Sequence, residues 1–565
     1  MEMEVPMLTE KAFQALYKKT NRSEEETRLL MPHMVENAVI LAAGMSTRFA
    51  PLSYEKPKGL LRVRGEILIE RQIRQLQEAG IRDITVVVGY QKEQFAYLED
   101  KLHVQLVVNE DYARYNNTSS LMRVLDRLGN TYICSSDNYF TKNVFEPYVY
   151  RAYYSAVYSD QPMDEYFLTT DADDRITQVT IGGQNGWYML GPVYFDRTFS
   201  AQFRAILQKE YAQPMTRNQL WENLYMRHID QLHLYMRAYP ADIIYEFDSL
   251  AELRDFDSTY CDHVDCEAFR HIQRTLQCMT ADIDVLGVLK QGMTNDSFLF
   301  SAKGEKYIFR RNGMGTDHLI DRENEKKVYA FLQGKGITEK VVALDPEDGY
   351  KISVYYGGAR VCNSKEMEDV RYCMDRLRSF HEKKFYDASI RAIDPFRMIV
   401  FYETLRQPVS IYADYNRVRE EVMALQPYLR AWLDHPDTLC HFDAVSDNFL
   451  FVPGREKPIL IDWEYAGLCD PLVDVAMFAI YAGYDAEKID RLISMYFGRE
   501  PELLERARIY AYVAIGGLLW SNWCEYKMTF GITFGAYAEQ QYRYAAEYAS
   551  RAAELFAEDK GGDGR

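Results

Sequence analysis

The apolar run Ala38-Val-Ile-Leu41 passes straight into a glycine-containing turn, and the elements on its C-terminal side restrict the fold of this part of the chain. A helical stretch from about Leu68 to Ala79 comes next, then a second apolar strand, Ile84 to Val88. Strand, helix and strand at this spacing argue for a parallel α/β sheet, because parallel neighbours need a crossover long enough to hold a helix. Short strands recur at Gln105 to Val108 and Tyr132 to Cys134, and the region closes near Tyr260 after a helix starting about Ser249. The residues ahead of it, 1–36, read as two short helices, one capped by Thr9 and the next by a capping box of Ser23 with Glu26. They carry no chemistry and are expected to be a packing extension, a truncated regulatory helix-turn-helix being the alternative.

The character of the chain changes after a helix at roughly Asp265 to Met279. Val285 to Leu289, Ser297 to Phe300 and Lys306 to Phe309 are β-hairpin material, and beyond about Gly358 the pattern is mainly helical. The expected organisation is an extension (1–36), an α/β domain (37–260), a second domain with a small β-rich lobe and a larger helical lobe (265–558), and a short disordered tail (559–565). No Pro/Gly/Ser-rich linker separates the two domains, so they are expected to pack together. With 47% hydrophobic residues the chain can bury real cores, which excludes disorder as its main state. No apolar run reaches membrane-spanning length, and the acidic start (Met1, Glu2, Met3, Glu4) lacks the basic opening of a signal peptide, so a cytoplasmic location is expected. A net charge of −18 opposes binding to nucleic acid or an anionic membrane. The nine cysteines are scattered without a CxxC, against both disulfides and structural zinc.

Within this acidic chain one stretch is basic. Arg48, Lys56, Lys58, Arg62 and Arg64 stand against the single acid Glu55, directly after the first strand and its turn. Such a turn can aim successive backbone N–H groups at a phosphate, and Gly44 lets a ligand approach closely. Residues 38–60 resemble the signature of the nucleotidyltransferases that join an NTP to a phosphorylated alcohol or sugar, and the likeness extends over roughly 37–258. It implies a Rossmann-like domain with a mixed sheet. It places nucleotide on Leu41, Ala42, Ala43, Gly44, Met45, Ser46 and Thr47, with Gly89, Tyr90, Asn117 and Ser120 in later motifs. Arg48 and Lys58 are the implied catalytic cations, and Asp137 and Asp248 the implied Mg²⁺ ligands. Ser46 stands where the family has a second turn glycine. Ser-Thr-Arg-Phe and Tyr-Asn-Asn resemble the bacterial Lic-type CTP:phosphocholine cytidylyltransferases. Choline carries a permanent cation with no hydrogen to donate, so its site needs aromatic faces or a carboxylate. Trp187, Tyr188, Tyr194, Trp221 and Glu222 lie where that family places its acceptor pocket; as isolated residues, such aromatics are more often core.

A second constellation lies in the helical region. His441-Phe-Asp-Ala-Val-Ser-Asp-Asn448 matches HxDxxxxN, and Ile459-Leu-Ile-Asp-Trp-Glu comes after a turn. At this spacing Asp443 can accept the proton of a substrate hydroxyl while Asn448 and Asp462 hold Mg²⁺ against ATP phosphates. Residues of about 265–555 resemble the choline/ethanolamine kinase and aminoglycoside phosphotransferase superfamily, whose fold is bilobal, protein-kinase-like and α+β. The likeness assigns Thr294 and Asn295 to a phosphate loop, Arg310 to the phosphates in place of the usual Lys, and Glu325 to the helix carboxylate that orients it. Arg311, next door, leaves the register open by one. Asp321-Arg322 favours the choline-kinase branch. Trp520 and Trp523, three apart on one helix face, and Trp463 are candidate walls for a choline cation, with core packing as the alternative for each. His381 is expected to be structural.

The expectation is a bifunctional enzyme: a kinase making phosphocholine from choline and ATP, and a transferase making CDP-choline and pyrophosphate from phosphocholine and CTP, for phosphocholine decoration of a cell-surface polymer. Two other readings stand beside it. One keeps both reactions on ethanolamine or a sugar; the other is a nucleotide-binding sensor with one degenerate domain.

Overall fold

A computed structural model of the chain describes residues 8–289, 295–313, 319–530 and 534–562. The chain divides into two compact units, residues 1–274 with 278–288, and residues 275–277 with 289–565.

The first unit is built on a nine-stranded mixed sheet. Its strands are β1 (Asn37–Ala42), β2 (Ile84–Val88), β3 (Gln105–Val108), β4 (Thr131–Ser135), β5 (Tyr153–Ser159), β6 (Met163–Thr170), β7 (Ile176–Gly183), β8 (Gly186–Phe195) and β9 (Tyr235–Tyr239). The order is β7-β6-β8-β4-β1-β2-β3, with β5 pairing β8 and β9 off this path. β1 lies parallel to β2 and β4, and β4 is antiparallel to β8. β1 is apolar throughout because both its faces are covered. Ala38, Ile40 and Ala42 pack toward Ile69, Ile73 and Leu76 of the helix Leu68–Glu78. Val39 packs on the other side with Phe199, Phe203 and Trp221. A two-stranded pair, Asn138–Phe140 with Ile244–Glu246, brings Asp137 and Asp248, which flank it in sequence, to one end of this sheet. In the N-terminal stretch the Thr9 hydroxyl accepts from Ala12 N, and Ser23 and Glu26 form a reciprocal capping box. Phe13 packs against His33 and Tyr150, which fastens the extension to this unit.

The second unit opens with antiparallel strands β10 (Asn295–Ala302), β11 (Glu305–Asn312), β12 (Val341–Asp345) and β13 (Tyr350–Val354), in the order β10-β11-β13-β12. The helix Arg322–Leu332, capped by Asp321, accompanies them. The helical lobe centres on Leu472–Tyr481 and on the pair Leu503–Met528 and Ala536–Gly562. Gly517 makes that pair possible: a Cβ there would lie 2.5 Å from the Gln541 carbonyl oxygen. Among the described residues no helix is long and apolar enough to cross a membrane. All nine cysteines are free thiols.

Candidate active sites

In the first unit the turn after β1 opens onto a cavity of about 620 Å³, lined among others by Ala42, Gly44, Asn117, Ser120 and Asp137. At Gly44 an added Cβ would meet nothing within 4 Å, so the backbone faces open space. Ser46 adopts φ +50°, ψ +45°, the left-handed conformation a glycine would take freely. Serine there costs on the order of 1 kcal/mol and leaves the turn intact. Leu41 and Ala43 line the cavity as well, whereas Met45, Thr47 and Arg48 are not on its wall. Gly89 and Tyr90 stand behind the turn: Tyr90 N donates to Ala43 O at 3.1 Å. A Cβ on Gly89 would strike Tyr112 at 2.7 Å. They brace the turn and are not on the cavity wall.

Opposite the turn lies a cluster of charge. Lys58, on a single 3₁₀ turn after Pro57, is buried and places Nζ 2.7 Å from Asp137 Oδ2 and 4.0 Å from Asp248 Oδ1. Arg48 Nη1 reaches Asp248 Oδ2 at 3.2 Å from an exposed position. Burial works against the Lys58 charge, but Asp137, Glu246 and Asp248 outweigh it and raise its pKa. Burial would raise Asp137 too; the Lys58 ammonium holds it below the ordinary carboxylate range. Glu246, whose Oε2 accepts from Asn138 Nδ2 at 3.2 Å, is pushed up to about 8 by crowding of protein around it and then by Asp137. Sequence reasoning passed over Glu246 and Glu165. The signal for Glu246 was its place two residues before Asp248; for Glu165 there was none. Both raise the pKa of Tyr188. Asp137 and Asp248 fit a divalent cation: they are hard oxygen donors converging on one ammonium, and among the described residues Asp137 Oδ1 is buried without a hydrogen-bond partner.

The acceptor aromatics separate by position. Tyr188 is half-buried, near Glu165 and Glu246, and Trp187 is half-buried on the opposite face, edge-on to Tyr158. Tyr194 is fully buried between Tyr132 and Tyr153, and Trp221 is stacked on Tyr154 within the Phe195–Phe203 core. Both are core residues, which corrects the expectation that they line a pocket. Glu222 accepts from Tyr154 OH at 3.1 Å, and burial pushes it up to about 7.

In the second unit Asp443, Asn448 and Asp462 converge. Asn448 Nδ2 donates to Asp443 O at 2.9 Å and to its Oδ2 at 3.2 Å. Burial, then the charges of Asp462 and Glu464, push Asp443 up to about 8. Asp462 takes φ +65°, a left-handed conformation held by its surroundings. Arg310 donates to Glu325 at 2.9 Å and to Asp462 Oδ1 at 3.0 Å. Arg311 instead meets Asp296 at 3.4 Å, so Arg310 is the arginine of the two that pairs with Glu325. Glu325 is buried, yet the Arg310 guanidinium holds its carboxyl down to about 2. Arg322 adds a second buried guanidinium, bonded to Glu325 at 2.8 Å and to Glu464 at 2.9 Å, and Asn295 Nδ2 donates to Glu464 at 2.9 Å. Asn295 thus stands at the charge cluster, while Thr294 lies outside the described residues. Asn448 and Asp462 supply a hard amide and a hard carboxylate oxygen, a donor pair that suits Mg²⁺ with phosphates completing its shell.

The catalytic turn is fastened from below. Asp474 accepts from His441 N (2.9 Å) and Phe442 N (2.7 Å), and His381 bridges it (3.0 Å) to Tyr496 OH (2.8 Å). Trp463 is wholly buried against His441 and Phe380, with Nε1 on Leu460 O at 3.0 Å. It is core, contrary to the choline role expected of it. Trp520 and Trp523 continue a chain of rings: Tyr465–Trp520 at 5.5 Å, Trp520–Trp523 at 5.9 Å and Trp523–Phe534 at 5.3 Å. Among the described residues Trp523 Nε1 is buried without a hydrogen-bond partner. Tyr465, Tyr481 and Tyr537, which sequence reasoning missed, all feel the Asp443 charge. Nothing in local spacing distinguishes these three among 44 tyrosines.

The chain matches the MobA-like NTP transferase domain over residues 38–220 and the choline/ethanolamine kinase family over residues 286–492. It is 36% identical over 220 residues to the choline-phosphate cytidylyltransferase of Streptococcus pneumoniae, 39% of this chain and 96% of the relative. The 2-aminoethylphosphonate cytidylyltransferase of Lancefieldella rimae is 37% identical over 231 residues, 40% of this chain and 93% of that one. The crystal structure of the choline kinase LicA from Streptococcus pneumoniae is 27% identical, covers 50% of this chain and 98% of its own, and superposes with a TM-score of 0.43. The chain therefore belongs, through its N-terminal unit, to the MobA-like NTP transferase family that includes the choline-phosphate cytidylyltransferases, and it is an enzyme in which that unit is fused to a C-terminal choline kinase domain.

Proposed function

We propose that the second unit phosphorylates choline with ATP and that the first couples the resulting phosphocholine to CTP, releasing pyrophosphate and CDP-choline. The observation that carries this reading is the joining, in one chain, of two sites whose reactions are consecutive: the product of one is the substrate of the other. In the kinase site Asp443 takes the proton of the choline hydroxyl, and Arg310, fixed by Glu325, meets the ATP phosphates. Asn448 and Asp462 would hold Mg²⁺ there, as Asp137 and Asp248 would in the transferase site; when bound, the ion neutralises charge on the transferring phosphoryl group. In the transferase site a phosphocholine oxygen is already anionic and attacks the α-phosphorus in line, so no general base is needed. Lys58 and Arg48 offset the charge that builds on the phosphates. Trp520 and Trp523 face the choline cation in the kinase. Tyr188 serves the phosphocholine end in the transferase, with Glu165 and Glu246 beside it as carboxylates for its cation, while Trp187 and Glu222 lie on the other face of the sheet. The reading includes a cytoplasmic enzyme whose product feeds phosphocholine decoration of a surface polymer; a source cell with no surface phosphocholine would contradict that last step.

The likeness to a 2-aminoethylphosphonate cytidylyltransferase keeps a second acceptor in play, since Glu165 and Glu246 also suit a primary ammonium. A phosphonate, however, needs no kinase. The test is a product assay with purified protein, Mg²⁺, ATP, CTP and choline, repeated with phosphocholine, and then 2-aminoethylphosphonate, in place of choline and ATP. CDP-choline from the first two mixtures supports the reading. Product from the phosphonate alone would replace it.

A further inference from the structure

Lys58 sits in a loop that is tied at both ends to the same distant stretch of chain. On its near side, the Glu55 carboxylate accepts from Glu267 N at 2.8 Å, Ala268 N at 3.3 Å and the Cys266 thiol at 3.2 Å. That seats it on the N-terminus of the helix Glu267–Leu276, where an anion is favoured. On the far side, Arg64 N donates to Asp257 Oδ2 at 2.6 Å, its guanidinium to Phe256 O at 2.9 Å, and its charged carbon lies 3.8 Å from the Phe256 ring centre. Asp257 is buried, and its other oxygen accepts from Thr259. Phe256 in turn packs against Tyr139 at 5.1 Å and Tyr245 at 4.4 Å, on the strand pair flanked by Asp137 and Asp248. Between the two ties the loop has no slack. A Cβ on Gly59 would lie 2.9 Å from Ser136, the neighbour of Asp137. The family match ends at residue 220, so this stretch lies beyond it, on the way in sequence to the kinase unit.

We propose that residues 256–268 form a clamp that fixes the Lys58 loop, with Glu55 and Asp257 as positioning residues for cytidylyl transfer. The inference rests on the reading of Lys58 as a group that acts on the NTP phosphates. The clamp sets where Lys58 Nζ stands relative to Asp137 and Asp248, so loosening it lowers the rate of the chemical step more than the affinity for CTP. A misplacement near 1 Å in such a site costs up to about a hundredfold.

The test uses the full chain and four variants, with CDP-choline formation from phosphocholine and ADP formation from choline read on the same preparations. Lys58→Ala tests the underlying reading and should abolish transfer; full activity in it would overturn that reading and the clamp with it. Glu55→Ala and Asp257→Ala should each lower transferase kcat about tenfold or more while KM for CTP moves less than about threefold. Glu55→Gln keeps an oxygen for the amide donors and should restore most of the loss. Kinase rates should stay at the parent level in all four. If Lys58→Ala is inactive but Glu55→Ala and Asp257→Ala keep the parent kcat, the clamp is refuted. It is refuted equally if Glu55→Gln falls as far as Glu55→Ala, or if kinase and transferase rates drop together.

Discussion

Replacing Asp443 by Asn changes one atom and separates the two activities. The amide keeps the size of the carboxyl and can still face Asn448, 3.2 Å away, but it cannot take a proton. A positioned base contributes about 10²- to 10⁴-fold, so kinase turnover should fall by at least a hundredfold, about 3 kcal/mol of barrier. The same substitution should stabilise the metal-free protein. Asp443 is pushed up to about 8 in the fold, by burial and by Asp462 and Glu464, against an ordinary value near 3.8. Its raised pKa means that folding is penalised where the unfolded chain is already ionised. The penalty is absent below about pH 4, grows as pH rises and is complete above pH 8. At pH 7 the full linkage is on the order of 4 kcal/mol, and about half of that after allowing for the solvent this partly open side chain still reaches. Asp443→Asn should therefore unfold a few degrees higher than the parent at pH 7.5 without Mg²⁺, and at the same temperature at pH 4. Transfer from supplied phosphocholine should be untouched. Kinase activity within tenfold of the parent would refute Asp443 as the base, and transferase loss in parallel would refute two independent sites.

Arg310→Lys should lower kinase kcat/KM for ATP about tenfold or more, since one ammonium cannot span Glu325 and Asp462 as the guanidinium does at 2.9 and 3.0 Å; steady-state kinetics in ATP would show it. Glu222→Gln should raise the unfolding temperature above pH 7 and leave it unchanged at pH 4.5. Burial pushes that carboxyl up to about 7, and its cost grows as pH rises from the ordinary value; a differential thermal scan at both pH values checks it. Trp523→Leu should raise KM for choline by about 2- to 30-fold, the worth of one cation–π face, with KM for ATP constant in the same assay.

One part of each centre is legible because it is a short contiguous run: β1, its turn and Lys58 fall within 22 residues, and Asp443 to Asp462 within 20, whereas Asp137, Asp248, Arg310 and Glu325 come from distant segments. Backbone geometry over such lengths is local, so spacing predicts convergence. The aromatic walls were not legible, because a ring's fate depends on how far along an element it sits. On β8, Tyr188 and Tyr194 share one face; Tyr188 lies near Glu165 and Glu246, while Tyr194, paired with β4, lies inside the core. Trp463 beside Asp462 points away from the metal position for the same kind of reason: the left-handed Asp462 turns the chain, and the next side chain enters the core against His441. The buried network of Lys351, Glu339 and Tyr329, with Nζ 2.8 Å from Glu339 and 2.7 Å from the Tyr329 hydroxyl, joins a strand to the Glu325 helix. Only the fold brings its members together.

The two centres solve one electrostatic problem in the same way. Each buries a cation, Lys58 or Arg310, among several carboxylates: Asp137, Glu246 and Asp248 around the first, Glu325, Asp462 and Glu464 around the second, with Arg48 and Arg322 as second cations. A buried cation so surrounded keeps its charge. The phosphate-facing groups, Lys58, Asp137 and Asp248 in one unit and Arg310, Asn448 and Asp462 in the other, carry nothing that distinguishes choline from another alcohol. On the proposed reading, discrimination falls to two outlying sets, Trp520 and Trp523 in one unit and Tyr188, Glu165 and Glu246 in the other. A fused chain can therefore retain both nucleotide reactions while its acceptor changes, but only if the two outlying sets change together, since the product of one site must still fit the other.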